Sequence, residues 1–213
     1  MRKFLKLFFF VSALPSVTFA QWRADIGINV IPVIANSVEI TSEFSRHPGY
    51  TFIFNLGYTI QSGHTGLVDH KVYDQISNRK SSGAFLKAGG RIYLASLNGQ
   101  QRKSNFFVGA KIIVSQYHQT AVMVPIDGGQ NLEGETPVSS NGVIISPAIS
   151  LGFTRKLSGK LSLDWGLQKS LSPKRNNFYG QSNRNYQPGM GSGQSDPFIG
   201  YIQGILVLKY RIR

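Results

Sequence analysis

Tyr201–Arg213 reads YIQGILVLKYRIR. Ile202, Gly204, Leu206, Leu208, Tyr210 and Ile212 share one parity and are almost wholly apolar, while Gln203, Lys209 and Arg211 mark the other. A period of two is the signature of a β-strand, whose successive side chains point to opposite faces. Here the two faces require different surroundings, one apolar and one able to satisfy amides and charges.

Seven further segments repeat the pattern: 22–34, 38–44, 50–61, 84–96, 105–117, 143–155 and 160–171. In 50–61, for example, Tyr50, Phe52, Phe54, Leu56, Tyr58 and Ile60 oppose Thr51, Asn55, Gly57, Thr59 and Gln61. Several runs approach or exceed the about 9–11 residues with which a tilted strand crosses a bilayer. Pro32 and Pro147 fall inside two of these segments, although proline removes a ladder donor. The first hairpin, with only 35–37 between its strands, is the least regular part of the pattern.

The N-terminus is set apart from this alternation. Arg2, Lys3 and Lys6 precede the short apolar run Leu7–Leu14, and Thr18-Phe19-Ala20 forms a small-x-small site. These are the parts of a cleavable secretory signal peptide at 1–20, which leaves 21–213 as one domain. The chain has 213 residues and no cysteine, which excludes a lipidated leader, a disulfide framework and thiolate metal sites. Without the three leader cations its 23 Lys and Arg become 20, against 10 Asp and Glu. Such an excess suits anionic lipid or acidic glycan, and behind a secretion signal it is not expected to serve nucleic acid. After the leader no apolar run reaches the about 18 residues of a spanning helix.

Segment order and connection length agree on an architecture. The links 45–49, 98–104 and 157–159 are short, and 62–83, 118–142 and 172–198 are long. Short and long links alternate, so all long loops gather at one end. The expected fold is all-β: an eight-stranded antiparallel up-and-down transmembrane β-barrel, with short periplasmic turns, long extracellular loops and both termini periplasmic. Trp22, Tyr50, Phe106 and Tyr210 fall on outward positions at the short-turn end, where a membrane-interface girdle of aromatics belongs.

The leader followed by Gln21, the alternating strands and the basic, aromatic closing strand resemble small outer-membrane β-barrel proteins of Bacteroidota-type bacteria, similar in architecture to the OmpA and OmpX eight-stranded barrels. The likeness covers the chain from Gln21 onward and rests on pattern, without a diagnostic motif. It implies the Gram-negative cell envelope, with outer-membrane lipids and lipopolysaccharide as surroundings and other outer-membrane or periplasmic proteins as partners. One departure is the C-terminus: many such barrels end in an aromatic residue, whereas this chain ends in Arg213 with Tyr210 the nearest aromatic.

An eight-stranded barrel is just wide enough for its interior side chains to fill it. The inward positions carry Arg23, Asp25, Glu39, Glu43, Lys87, Arg91, Lys111, Asp164 and Lys209. Because a buried charge requires a partner, these are expected to form a salt-bridged network that plugs the lumen. Asp25 is expected to pair with Lys209 where the first strand meets the last, and Glu43 to face Arg91 or Lys111. The competing function is porin-like, a narrow pore for ions or small solutes lined by the same charges.

Chemistry in the loops is sparse. Gly189-Met-Gly-Ser-Gly193 lacks the spacing of a nucleophile elbow or dinucleotide turn and reads as a flexible loop tip. Ser62, His64, Asp69 and His70 include the residue types of a nucleophile–base–orienter set, the basis of a further alternative, a lipid A hydrolase or acyltransferase at the outer rim. His64, Asp69 and His70 are also metal-ligand types, without a spacing that implies convergence. Lys174, Arg175, Phe178, Tyr179, Arg184 and Tyr186 interleave basic and aromatic groups in the last long loop, a combination suited to an acidic glycan, a lipopolysaccharide phosphate or a partner protein. The balance is a non-enzymatic barrel with no catalytic, metal or cofactor site, presenting its loops as a structural or interaction protein or as an accessory subunit of an envelope complex.

Overall fold

The computed structural model describes residues 22–63, 76–94, 104–123, 126–127, 130–131, 136–171, 186–193 and 201–213. The expected signal peptide lies outside them. Eight strands form the frame: β1 (Arg23–Asn29), β2 (Ser37–His47), β3 (Tyr50–Ser62), β4 (Ile76–Tyr93), β5 (Ser104–Met123), β8 (Thr136–Lys156), β9 (Leu161–Ser170) and β12 (Tyr201–Arg211). Each pairs antiparallel with the next. The closing strand then pairs with the first, in the register Asp25↔Arg211 through Asn29↔Val207. Closure gives each of the eight strands two neighbours. Four short strands complete the set: β6 (Ile126–Asp127) with β7 (Gln130–Asn131), and β10 (Tyr186–Gln187) with β11 (Gly191–Gly193).

Alternation in the sequence becomes a barrel turned inside out. On β2, Val38, Ile40 and Phe44 face outward and are exposed, while Glu39, Thr41 and Glu43 between them are buried. On β3, Phe52, Phe54, Leu56, Tyr58 and Ile60 face out, and Thr51, Asn55 and Thr59 face in. Trp22, Tyr50, Phe106 and Tyr210 lie on the outer surface near the short-turn rim; Trp22 packs 6.2 Å from Phe52 and Phe106 lies 5.1 Å from Phe153.

Strand boundaries differ from the periodicity at Pro32 and in the expected long loops, while Pro147 keeps its place, each for a local reason. The expected strand 22–34 stops at Asn29, and Ile31–Ala35 form a 3-10 turn with Pro32 among its first residues. Proline has no N–H to donate and its φ is preset for a helical turn. The turn ends at Asn36, whose φ of 50° is a left-handed conformation that asparagine tolerates. Pro147 stays within β8 because its carbonyl accepts from Leu171, just beyond the end of β9. Its missing donor therefore points to where the neighbouring strand stops. Finally, much of the expected long loop 118–142 is strand: β5 and β8 remain paired out to Met123↔Thr136, and β4 begins at Ile76 within the expected loop 62–83. Both faces of these extensions are polar or mixed, so apolar periodicity stops while the ladder continues.

Because the chain contains no cysteine, closure can be tested by cross-linking. Ile28 and Leu208 are direct partners on the outer face of the β1–β12 seam. A hydrogen-bonded antiparallel pair holds Cα atoms about 5.5 Å apart, inside the range a disulfide accepts. The Ile28→Cys/Leu208→Cys variant is expected to form an intramolecular disulfide on oxidation, read as a mobility shift on non-reducing gels. Failure of that pair to cross-link would contradict a closed barrel.

Candidate functional site

The interior is organised in layers contributed repeatedly by the same strands. In the layer nearer the short-turn rim, Glu43 of β2, Arg91 of β4, Asp164 of β9 and Lys209 of β12 form a closed ring of alternating charge. Arg91 Nη1 donates to Glu43 at 3.0 Å and also to Asp164, while Lys209 Nζ lies 3.0 Å from each of the two carboxylates. All four side chains are at most 2% exposed. Tyr93 closes one side, its hydroxyl 3.4 Å from Glu43, and the Arg91 guanidinium lies 3.8 Å from the centre of the Phe107 ring.

The next layer centres on Glu39. Lys87 Nζ donates to it at 3.0 Å, Gln203 Nε2 at 2.7 Å and Asn55 Nδ2 at 2.5 Å. Lys87 also donates to the side-chain carbonyls of Gln203 at 2.9 Å and Gln168 at 3.3 Å. Asn29 bridges to the backbone: its Oδ1 accepts from the Leu206 N–H at 3.0 Å. At the rim, Asp25 sits between Arg23 at 2.5 Å and Arg211 at 3.3 Å.

The pairing expected between Asp25 and Lys209 is corrected by the register. Lys209 stands opposite Gly27, and Asp25 opposite Arg211. This two-residue offset sends Lys209 up to Glu43 and Asp164 and leaves the rim arginines to Asp25. Glu43 meets Arg91, whereas Lys111 is buried without joining either layer. Asn29, Asn55, Gln168 and Gln203 were absent from the expected network although they share the parity of its charges; that parity is the signal by which a sequence can find them.

The segment Tyr186–Gly193 departs furthest from expectation. Gly189–Gly193, expected to be a flexible tip, belongs to a segment packed inside the barrel. β11 pairs with β12 through Ser192↔Ile202 and Gly193↔Tyr201, on the stretch of β12 beyond its pairing with β1. Met190 is completely buried among Ile113, Tyr117, Ile144, Ala148 and Tyr201. Gln187 donates to Ser115 at 3.3 Å and accepts from Gln119 at 3.2 Å, and Gln168 donates to the Gly189 carbonyl at 3.1 Å. Glycine is required at the bend: Gly189 and Gly191 have φ of 72° and 101°, and a Cβ on Gly189 would lie 2.6 Å from the Phe85 ring. Tyr186 is likewise corrected. Expected to bind partners from the outer loop, it is buried at 4% exposure. Lys174, Arg175, Phe178, Tyr179 and Arg184 lie outside the described residues, as do His64, Asp69 and His70. Ser62 is described, buried at the end of β3.

Each member of the four-charge ring neutralises two neighbours, so removing one leaves an uncompensated buried charge. Asp164→Asn is expected to destabilise the barrel by about 3–5 kcal/mol. Arg23→Ala, which removes a partly exposed rim partner, should cost no more than about 1 kcal/mol. Urea unfolding in detergent micelles measures both; equal effects would show that the ring carries no special energetic weight.

No family model matches the chain, and no curated protein matches it. Among solved structures it is similar to the N-terminal β-barrel domain of Pseudomonas aeruginosa OprF, at a TM-score of 0.44 and 7% identity, over 90% of this chain and 96% of that one. It is also similar to Neisserial surface protein A (NspA), at a TM-score of 0.41 and 10% identity, over 89% of this chain and 94% of that one.

Proposed function

We propose that this chain is an integral outer-membrane protein of the Gram-negative envelope, a barrel with a filled lumen that serves as a non-enzymatic structural or interaction protein. The observation that carries this is the inverted distribution of side chains. Leu56 at 63%, Ile60 at 62% and Ile145 at 68% exposure stand on the outside, while Glu39 and Lys87 at 1% stand within. An exposed apolar surface that runs around the whole barrel far exceeds the few hundred Å² typical of soluble monomers. A bilayer covers such a surface without further structure, and a closed barrel satisfies every backbone group of the spanning strands there. The aromatic cluster near one rim supports the same placement.

The interior supports a non-conducting role. Two hydrogen-bonded layers and the inserted segment 186–193 occupy the space that a pore would need. Short turns lie at the rim that also holds Trp22 and Arg213, which supports periplasmic termini and a loop-bearing end directed outward. Lipopolysaccharide and neighbouring envelope proteins are then the natural contacts of those loops.

Two measurements test the proposal. Purified protein in planar lipid bilayers is expected to show no steady open current; large stable currents would favour the narrow pore instead. Leu56→Arg, at the middle of β3, is expected to lower stability in liposomes by about 2–4 kcal/mol, the cost of a cation at mid-bilayer on a barrel's lipid face. Unchanged stability there would argue against a membrane around this wall.

A further inference from the structure

The outer wall changes character where β3, β4 and β5 approach the loop-bearing end. Lys80, Ser82, His118 and Thr120 face outward there, since Ser81 and Gln119 between them are buried. Lys80 stands opposite Thr120, and Ser82 opposite His118. The ladder is bulged on both sides of this patch. The β3–β4 register shifts between Thr59 and Ser62, and the β4–β5 register between Ser77 and Lys80. Gln61 and Asn78 fall within these bulges, with φ of 35° and 48°. A bulge bends its strand and re-aims the side chains around it.

Two grooves adjoin at Lys80. One, of about 270 Å³, is lined by Tyr58, Ile60, Lys80, Ser82 and His118 among others. The other, of about 290 Å³, is lined by Lys80 with Asn78, Thr120, Ser139 and Pro137. Gln61 and Thr120 border both. Among the described residues no carboxylate lines either groove, and Lys80 makes no ion pair. A rise of about 3.3 Å per residue at a tilt of about 35–45° puts Gln61 about 25–30 Å across the wall from Tyr50. The apolar band of an outer-membrane barrel is about 25 Å tall, so these grooves lie at its far edge.

The chemistry met on leaving the bilayer is therefore ordered. Tyr58 and Ile60, 53% and 62% exposed, come first on the lipid face. The Lys80 ammonium and the His118 imidazole follow, with the hydroxyls of Ser82 and Thr120 beside them. The amides and hydroxyls of Gln61, Asn78 and Ser139 come last. Acyl chain, phosphate and sugar succeed one another in the same order in a phosphorylated glycolipid. A free phosphate would leave the apolar floor unused, and a simple phospholipid would leave the amide-lined groove unused.

We propose that the outer wall over β3–β5 binds one lipid A moiety of lipopolysaccharide, with its phosphate on Lys80 and His118. The acyl chains run down over Tyr58 and Ile60, and the sugar lies against Gln61, Asn78 and Ser139. This site rests on the outer-membrane placement proposed above and is separate from the loop 172–198.

The test titrates the purified full-length chain in detergent micelles with bisphosphorylated lipid A, read by native mass spectrometry. One lipid A per barrel should bind, more tightly than dephosphorylated lipid A or phosphatidylglycerol, and inorganic phosphate should not displace it. Lys80→Gln should weaken binding about tenfold, the loss of one charge-assisted contact. His118→Gln should weaken it further, and Lys160→Gln at the opposite rim should leave it unchanged. Lys80 and His118 are exposed, so both variants should keep the wild-type circular dichroism spectrum. A Lys80→Gln/His118→Gln double variant that binds as wild type does, or equal binding of dephosphorylated lipid A, overturns the site. Phosphatidylglycerol bound as tightly as lipid A, or displacement by inorganic phosphate, overturns the glycolipid assignment. Protein that inserts into liposomes and is destabilised there by Leu56→Arg, yet does not prefer phosphorylated lipid A, refutes the site alone. Protein that fails to insert refutes the placement as well.

Discussion

The ring of Glu43, Arg91, Asp164 and Lys209 is the interaction on which the rest of the barrel depends. Its members come from four strands spread around the wall, so it can form only when β1 and β12 have met and every intervening register is right. A slip of one residue in any strand would carry its charge to the apolar outer face. The ring thus acts as a check on closure as well as a filling for the lumen. Its stability is conditional in the way of all buried ion pairs: favourable while complete, unfavourable when one partner is missing.

Around this ring the interior is built to satisfy donors and acceptors in place of packing hydrocarbon. Amides mediate where charges do not reach, as Gln203 does between Lys87 and Glu39. Apolar packing inside is concentrated at the opposite end, where Met190 of the inserted segment joins Ile113, Tyr117 and Ile144, with a smaller aromatic pair, Tyr93 and Phe107, beside the ring. The lumen therefore has two different fillings, a hydrogen-bonded lower part and an upper part that a returning loop completes. The outer wall is the reverse, apolar along the middle of the strands except at Ser42 of β2.

Much of the wall was legible in the sequence. Period-two alternation with charge-free outward faces located all eight strands, because a wall with unlike environments on its two sides imposes that pattern directly. It failed where the environments stop differing. The extensions of β4, β5 and β8 carry polar residues on both faces, so nothing in NRKSS at 78–82 or in PVSS at 137–140 marks a strand. It failed also at Pro32, where alternation continues for several residues after the backbone has turned. Within the candidate site, parity identified which charges point inward. It did not identify their partners, because pairing depends on the stagger of β12 against β1, and a two-residue stagger separated Asp25 from Lys209.

By itself, then, the sequence determined which side chains face the lumen and which the exterior, and from the number and order of its alternating segments a closed antiparallel barrel. These are local matters, settled by the geometry of an extended chain and by the distribution of apolar residues along it. The tertiary structure alone decided who meets whom: the four-charge ring, the isolation of Lys111, and the entry of Tyr186–Gly193 into the barrel mouth. Each depends on contacts between residues far apart in the chain, set by shear and closure of the whole wall. A segment such as YQPGMGSG, with no alternation and three glycines, acquires its buried conformation only from the cavity that receives it.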